Sequence, residues 1–156
     1  MDASQSDAPY IAHFASPQLD SAVKKLLIIL DKLQLQSKQN PSSRTKLRYC
    51  LGLHSSMVKS QADNLKAIII ARDIERIDAK GGLNDHLQQL STIGKKNRIP
   101  VIFSLSRREI GIAVGRKQLR PSVVGVISYQ GAEQQFKKTV RLWQKVRQAT
   151  ANKLSK

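Results

Sequence analysis

Three short apolar runs constrain this chain more than any other feature. They are Leu65-Lys66-Ala67-Ile68-Ile69-Ile70-Ala71, Pro100-Val101-Ile102-Phe103-Ser104-Leu105 and Val123-Val124-Gly125-Val126-Ile127. Each is rich in β-branched residues and lacks polar/apolar alternation, which is the pattern of a strand buried on both faces. The segments between them carry helical spacing. Ser16-Pro17 reads as an N-cap followed by a first-turn proline, and Leu19, Val23, Leu26, Leu27, Leu30 and Leu33 then mark a helix over 17–35, with Asp20 at its positive end. Gln36 to Ser43, which contains Asn40-Pro41, reads as a loop. Arg44 to Leu53 is a short extended or helical piece running into Gly52, and a second helix is expected from His54 or Ser55 to just before Asp63-Asn64. Gly81-Gly82 opens a helix holding Leu83, Leu87, Leu90 and Ile93. Ser106-Arg107-Arg108-Glu109 has capping-box spacing and starts a helix that Gly115 can end. The last helix, from about Ala132, buries Phe136, Val140, Trp143 and Val146. This order predicts an α/β fold: a three-layer α/β/α sandwich with a central mixed sheet of about four strands, plus an extra N-terminal helix.

Charge divides the chain. Residues 1–85 hold 12 basic and 9 acidic residues, a balance of +3; residues 86–156 hold 15 basic residues against Glu109 and Glu133 alone, a balance of +13. Such one-sided excess is the footprint of a polyanion, usually nucleic acid and less often an anionic membrane; a solubilising surface is the plainer alternative. Aromatics are only 4% of the chain, too few for a platform that stacks single-stranded bases. No apolar run reaches the ~20 residues of a membrane span, and the N-terminus lacks the pattern of a secretory signal. The single cysteine, Cys50, rules out an internal disulfide and argues for an intracellular setting.

Enzyme motifs are absent. There is no Gly-x-Gly-x-x-Gly, no phosphate loop and no His-Glu-x-x-His; His13, His54 and His86 are scattered, and the basic half has almost no carboxylates for acid/base work or Mg²⁺. A non-catalytic domain without metal or cofactor is expected. Its cations fall where loops and helix ends fall. Lys80 precedes a glycine-led helix start, a favourable phosphate position. Arg116, Lys117 and Arg120 lie between Gly115 and Pro121. Lys95, Lys96 and Arg98 either contact phosphate or neutralise a helix C-terminus. The cations of the last helix are either a solvated face or an RNA or ribosome contact.

Several segments together resemble a known family. They are Leu51-Gly52-Leu53, Leu65 to Ile70, Lys80-Gly81-Gly82-Leu83-Asn84-Asp85, Asn97 to Arg108 with Gly111, and Ser122-Val123-Val124-Gly125-Val126-Ile127-Ser128-Tyr129-Gln130-Gly131-Ala132 followed by Gln135-Phe136. The chain is similar, over about residues 10–150, to the RNA-binding domain of the SECIS-binding protein 2 family, a branch of the kink-turn-binding ribosomal-protein superfamily. The resemblance implies recognition of the SECIS stem-loop of selenoprotein mRNAs through a kink-turn-like internal loop with tandem sheared G·A pairs. It also implies the ribosome and the selenocysteine-specific elongation factor as partners, selenocysteine incorporation at UGA as the role, and a cytoplasmic, possibly nucleus-shuttling monomer without a membrane partner. The implied segments are a lead-in over 1–15, an N-terminal helix and loop over 16–43, the RNA-binding domain over 44–150 and a tail over 151–156.

The same resemblance carries RNA contact to the helix start Gly52, Leu53, His54, Ser55, Ser56 and Lys59, to the turn Lys80, Gly81 and Gly82, and to the loop Gln118, Leu119, Arg120, Pro121 and Ser122; the cations Arg48, Arg116 and Lys117 beside these places complete the expected RNA-binding set. Two places depart from the family pattern. Where the branch has arginine-glutamate after glycine-leucine, this chain has His54-Ser55; a serine hydroxyl donates as well as accepts, whereas the family's carboxylate only accepts from guanine. The loop before the last strand is one residue longer and reads Leu119-Arg120-Pro121. Two other readings share the fold: a ribosomal or small-nucleolar kink-turn RNA-binding protein, and a ribosome-associated protein-interaction module.

Overall fold

The computed structural model describes residues 16–39, 47–52, 55–56, 65–74 and 83–154, with the backbone alone described at 83–87 and 154. Its elements are α1 (Pro17–Gln39), β1 (Tyr49–Leu51), β2 (Ala67–Ile70), α2 (Leu83–Lys96), β3 (Val101–Phe103), α3 (Arg107–Ala113), β4 (Val123–Val126) and α4 (Glu133–Leu154). Ser55 and Ser56 are helical as well. The strands form one mixed sheet in the order β1-β4-β2-β3. β4 runs antiparallel to both of its neighbours, and β2 runs parallel to β3.

The absence of alternation in the apolar runs is explained by two cores. One face of the sheet presents Tyr49, Ala67, Ile69, Ile102, Val124 and Val126 to α1, α3 and α4. The other presents Ile68, Ile70, Phe103 and Val123, which cluster with Leu90 of α2. Every residue of β2 and β4 is buried. The expected α/β sandwich is therefore what the chain forms.

α1 is part of one helical layer. Leu19, Val23, Leu26, Leu27 and Leu30 are fully buried, each contributing about 1.5–3 kcal/mol of apolar transfer. The Ser16 hydroxyl accepts from the Leu19 amide, as its position before Pro17 suggests. The helix continues to Gln39, so residues 36–39 are helical where a loop was expected; the breaker at Asn40-Pro41 lies outside the described residues. Gln34, inside the expected span, joins this helix to the sheet. It is buried, and its side-chain oxygen accepts from the Arg48 and Tyr49 amides at 2.8 and 3.3 Å, so the last turns of α1 satisfy the entry to β1. That contact also settles the segment before Gly52 as a strand.

The capping box of α3 forms as its spacing requires: the Glu109 amide donates to Ser106 Oγ, and the Ser106 amide donates to the Glu109 carboxylate. α4 is held at its start by the Tyr129–Phe136 stack, with centroids 4.1 Å apart, and by the Gly131 amide donating to Glu133. Farther along, the Trp143 indole donates to the Val101 carbonyl on the edge strand.

Candidate nucleic-acid interface

The strand order brings the C-terminal ends of β1, β2 and β3 beside the start of β4. The Gly52 amide donates to the Val123 carbonyl at 2.8 Å, the Ala71 amide to Ser122 at 2.9 Å and the Ser104 amide to Ile70 at 3.1 Å. The helix start after Gly52, the segment after β2 and the loop before β4 consequently leave one end of the sheet together. Topology joins places that lie up to about 70 residues apart in the chain.

Gly52 makes the first corner. Its φ is +101°, a conformation that glycine adopts without a Cβ penalty, and its carbonyl accepts from the Ser56 amide, which ties the end of β1 to the helical Ser55-Ser56. Ser55 is exposed on that first turn. Ser56 is fully buried, with its hydroxyl 3.9 Å from the Cys50 sulfur. Gly125 on β4 leaves room for both: a Cβ there would lie 2.9 Å from Cys50 Sγ and 3.1 Å from Ser56 Oγ. Ser56 thus seats the helix on the sheet and offers no surface to a ligand, a correction to the expected contact set.

The loop before β4 is equally fixed. The Arg116 amide donates to the Gly111 carbonyl at 2.7 Å, and the Leu119 amide to Arg116 at 2.9 Å. A Cβ on Gly111 would stand 3.0 Å from the Arg116 carbonyl oxygen, so this glycine lets the loop backbone lie flat on α3. Arg120 has φ +46°, a left-handed conformation uncommon outside glycine, which costs on the order of 1 kcal/mol and is held by the surrounding loop. Arg116, Lys117, Gln118, Leu119 and Arg120 are all exposed; Leu119 retains 58% of its surface. Pro121 is buried and Ser122 half-buried, so those two anchor the loop rather than face outward.

Arg48 does not join this group. It precedes β1, at the opposite end of that strand from Gly52, and is buried with 8% exposure. Its carbonyl accepts from the Ile127 and Ser128 amides. Its backbone ties the start of β1 to the end of β4, and its side chain is buried there, apart from the Gly52 end where the other expected contacts lie. Leu53, His54, Lys59, Lys80, Gly81 and Gly82 lie outside the described residues.

Lys95 and Lys96 occupy the last turn of α2, and Arg98 follows at the start of β3, the other end of the sheet. Their location fits neutralisation of the helix C-terminus.

Several residues that sequence reasoning missed stand at the same end as Gly52. Arg72 follows β2, and its amide donates to the Leu105 carbonyl. The Arg107 amide donates to Asp73, and Arg108 is exposed beside it. Arg107 and Arg108 fall within the resembling segment, so a signal was present. Tyr49 and Asp31 gave none. Burial pushes the Tyr49 hydroxyl well above its ordinary pKa, with Asp31 adding to the rise and the neighbouring Arg116 opposing it. Arg116 therefore lies beside the Tyr49 hydroxyl that Asp31 accepts from. Among the described residues, the carboxylates near this end are engaged within the protein: Asp31 by Tyr49, Asp73 by Arg107 and Glu109 by the α3 cap. The exposed charged side chains described at this end that are not so engaged, Arg108, Arg116, Lys117 and Arg120, are cations, suited to phosphate.

Known proteins agree with this geometry. The Ribosomal protein L7Ae/L30e/S12e/Gadd45 family matches residues 34–136. Selenocysteine insertion sequence-binding protein 2 of Rattus norvegicus is 34% identical over 142 residues, 90% of this chain. Selenocysteine insertion sequence-binding protein 2-like of Homo sapiens is 33% identical over 134 residues, 85% of the chain. The chain spans only 17% and 12% of those relatives' lengths. Among solved structures, the Giardia lamblia 15.5kD RNA binding protein shares the fold with a TM-score of 0.61 and 16% identity, covering 90% of this chain and 97% of that one. A Bacillus halodurans protein of unknown function gives a TM-score of 0.51 at 16% identity over 74% of this chain and 97% of that one. With a match that runs from the end of α1 through the start of α4, this chain belongs to the ribosomal protein L7Ae/L30e/S12e/Gadd45 family.

Proposed function

We propose that the chain is a non-catalytic RNA-binding domain that recognises the SECIS stem-loop of selenoprotein mRNAs and so supports selenocysteine incorporation at UGA codons. The observation that carries this reading is the convergence of the Gly52 helix start, the end of β2 and the 116–122 loop at one end of the sheet, through the Gly52–Val123 and Ala71–Ser122 hydrogen bonds. The names of the relatives at 33–34% identity supply the RNA class. In this reading, Arg116, Lys117 and Arg120 grip phosphates and fix the register, while the exposed Ser55 turn faces the bases of a non-canonical internal loop. The ribosome and the selenocysteine-specific elongation factor are the partners that the role requires, and it places the chain in the cytoplasm.

A three-way titration tests it. The protein is mixed with a SECIS hairpin, with the same hairpin after its tandem G·A pairs are made Watson–Crick, and with a generic kink-turn RNA. The expected order of affinity is SECIS, then kink-turn, then the Watson–Crick version. Equal affinity for all three overturns the reading, and preference for the generic kink-turn transfers the domain to ribosomal or small-nucleolar RNA.

A further inference from the structure

α1 and α4 pack side by side over one face of the sheet, with the Thr139 hydroxyl and the Gln135 amide group donating to the Ala22 carbonyl. The two helices contain three carboxylates, and each is committed to a bond within the protein. Asp20 accepts from Ser104 Oγ at 2.6 Å, with the Arg72 guanidinium 3.9 Å away. Asp31 accepts from the Tyr49 hydroxyl, and Glu133 from the Gly131 amide. The outer surface of the layer is left with cations. Lys24, Lys25 and Lys32 of α1 and Lys138, Arg141 and Lys145 of α4 are all exposed. Among the described residues, none of these six forms an ion pair with a carboxylate. Lys25 and Lys138 line an open groove of about 420 Å³ between the helices, together with Ala22 and Leu142.

We infer that this layer is a second RNA-binding surface, which takes the phosphate backbone of a helical RNA segment independently of the sheet end that reads an internal loop. The chemistry narrows the partner. α4 presents Lys138, Arg141 and Lys145 at one-turn spacing, a row of about 10 Å on a helix of 22 residues. Among the described residues of α4 no large apolar side chain is exposed; on α1 Ile28, Lys32 and Leu35 share one face with the lysine between the two apolar residues, and the groove's apolar lining of Pro17, Ala22 and Leu142 is bordered by Lys25 and Lys138. A membrane-embedding helix needs a continuous apolar face, and a protein interface needs an apolar centre. A partner that is anionic along its length and reads no bases fits better. Duplex RNA backbone meets that description.

The test uses the full chain and two RNAs: a mixed-sequence duplex of about 24 base pairs with no internal loop, and a short hairpin carrying tandem G·A pairs between minimal stems. The triple variant K25Q/K138Q/R141Q is compared with K25R/K138R, each checked for an unchanged thermal melt. We expect the triple variant to lose about tenfold in duplex affinity and to flatten the salt slope by roughly 2–3, at roughly 0.9 per duplex phosphate no longer neutralised. Its affinity for the short hairpin stays within twofold, and the arginine variant keeps both. Unchanged duplex affinity and slope overturn the inference. So does an equal loss for both RNAs, which would make the layer part of the same site. An altered affinity for anionic phospholipid vesicles with duplex binding intact overturns it in favour of a membrane. The duplex arm is independent of which internal loop the sheet end recognises, so the two readings fail separately.

Discussion

The Tyr49 hydroxyl donates to Asp31 Oδ1 across 2.7 Å, tying β1 to α1 directly behind the loop that carries Arg116. Burial and the aspartate both favour the protonated phenol. A group whose folded pKa lies above its unfolded value, here 10.0, stabilises the fold fully below that pH and progressively less as pH rises past it. Tyr49→Phe is expected to cost about 1–2 kcal/mol at neutral pH, since it leaves a carboxylate without its donor, and to flatten the loss of stability above pH 10. Urea unfolding of both proteins between pH 8 and 11.5 measures this. Parallel curves would show that the phenol does not titrate as described.

Gly125 is expected to be intolerant of even one methyl group. An added Cβ meets Cys50 Sγ and Leu65 Cδ2, each at 2.9 Å, and Ser56 Oγ at 3.1 Å, so these three side chains have to shift, and with Ser56 the seat of the helix start after Gly52. Gly125→Ala should lower stability by about 1–3 kcal/mol, typical of overpacking, and weaken RNA binding measured on the fully folded fraction. Unchanged affinity would mean that the position of the Gly52 turn is not part of recognition.

The sheet and its helices were legible because each apolar run is long enough, and fully enough buried, to override local ambiguity. Leu65–Ala71 and Val123–Ile127 lack alternation because two helical layers cover them, and Ser106–Glu109 declares its cap within four residues. The end of α1 was not legible. Residues 36–39 continue the helix although Gln36 to Gln39 carry no apolar periodicity, and the buried bond from Gln34 to the Arg48 amide, 14 residues later, has no local signal either. The site divides in the same way. The resemblance located the loop at 118–122 and the turn at Gly52, but it could not show that Arg48 is buried at the far end of β1 or that Ser56 points inward at Cys50. Those depend on strand register and on a missing Cβ in β4, which are tertiary facts.

Arg120 and Arg48 should part in behaviour. Arg120→Ala removes an exposed cation from a fixed loop, so RNA affinity should fall by about 1–3 kcal/mol, with the salt slope reduced by roughly 1. It also relieves a positive φ only if the loop relaxes, so the melting temperature should change little. Arg48→Ala removes a buried side chain and should lower the melting temperature, while the affinity of the folded fraction stays within twofold. Filter binding across a salt series, paired with thermal melts, separates the two. An affinity loss in Arg48→Ala without destabilisation would return that residue to the interface.

Ser55 offers the sharpest test of base recognition, because it is exposed on the first turn after Gly52, where its family relatives are expected to carry glutamate. A carboxylate at this position faces the positive end of the helix, so Ser55→Glu should leave stability unchanged or raise it by about 0.3–1 kcal/mol. A carboxylate accepts two hydrogen bonds from a guanine edge without competing donation, whereas the serine hydroxyl accepts only as its own proton allows. If this turn faces a sheared G·A pair, the substitution should increase the preference for a hairpin with tandem G·A pairs over its Watson–Crick version by about tenfold, or ~1.4 kcal/mol. The ratio of the two affinities is the quantity to measure, since added negative charge lowers both absolute values through the phosphates. A ratio that stays constant while both affinities fall would show that the Ser55 turn faces backbone, and that the bases are read elsewhere on this end of the sheet.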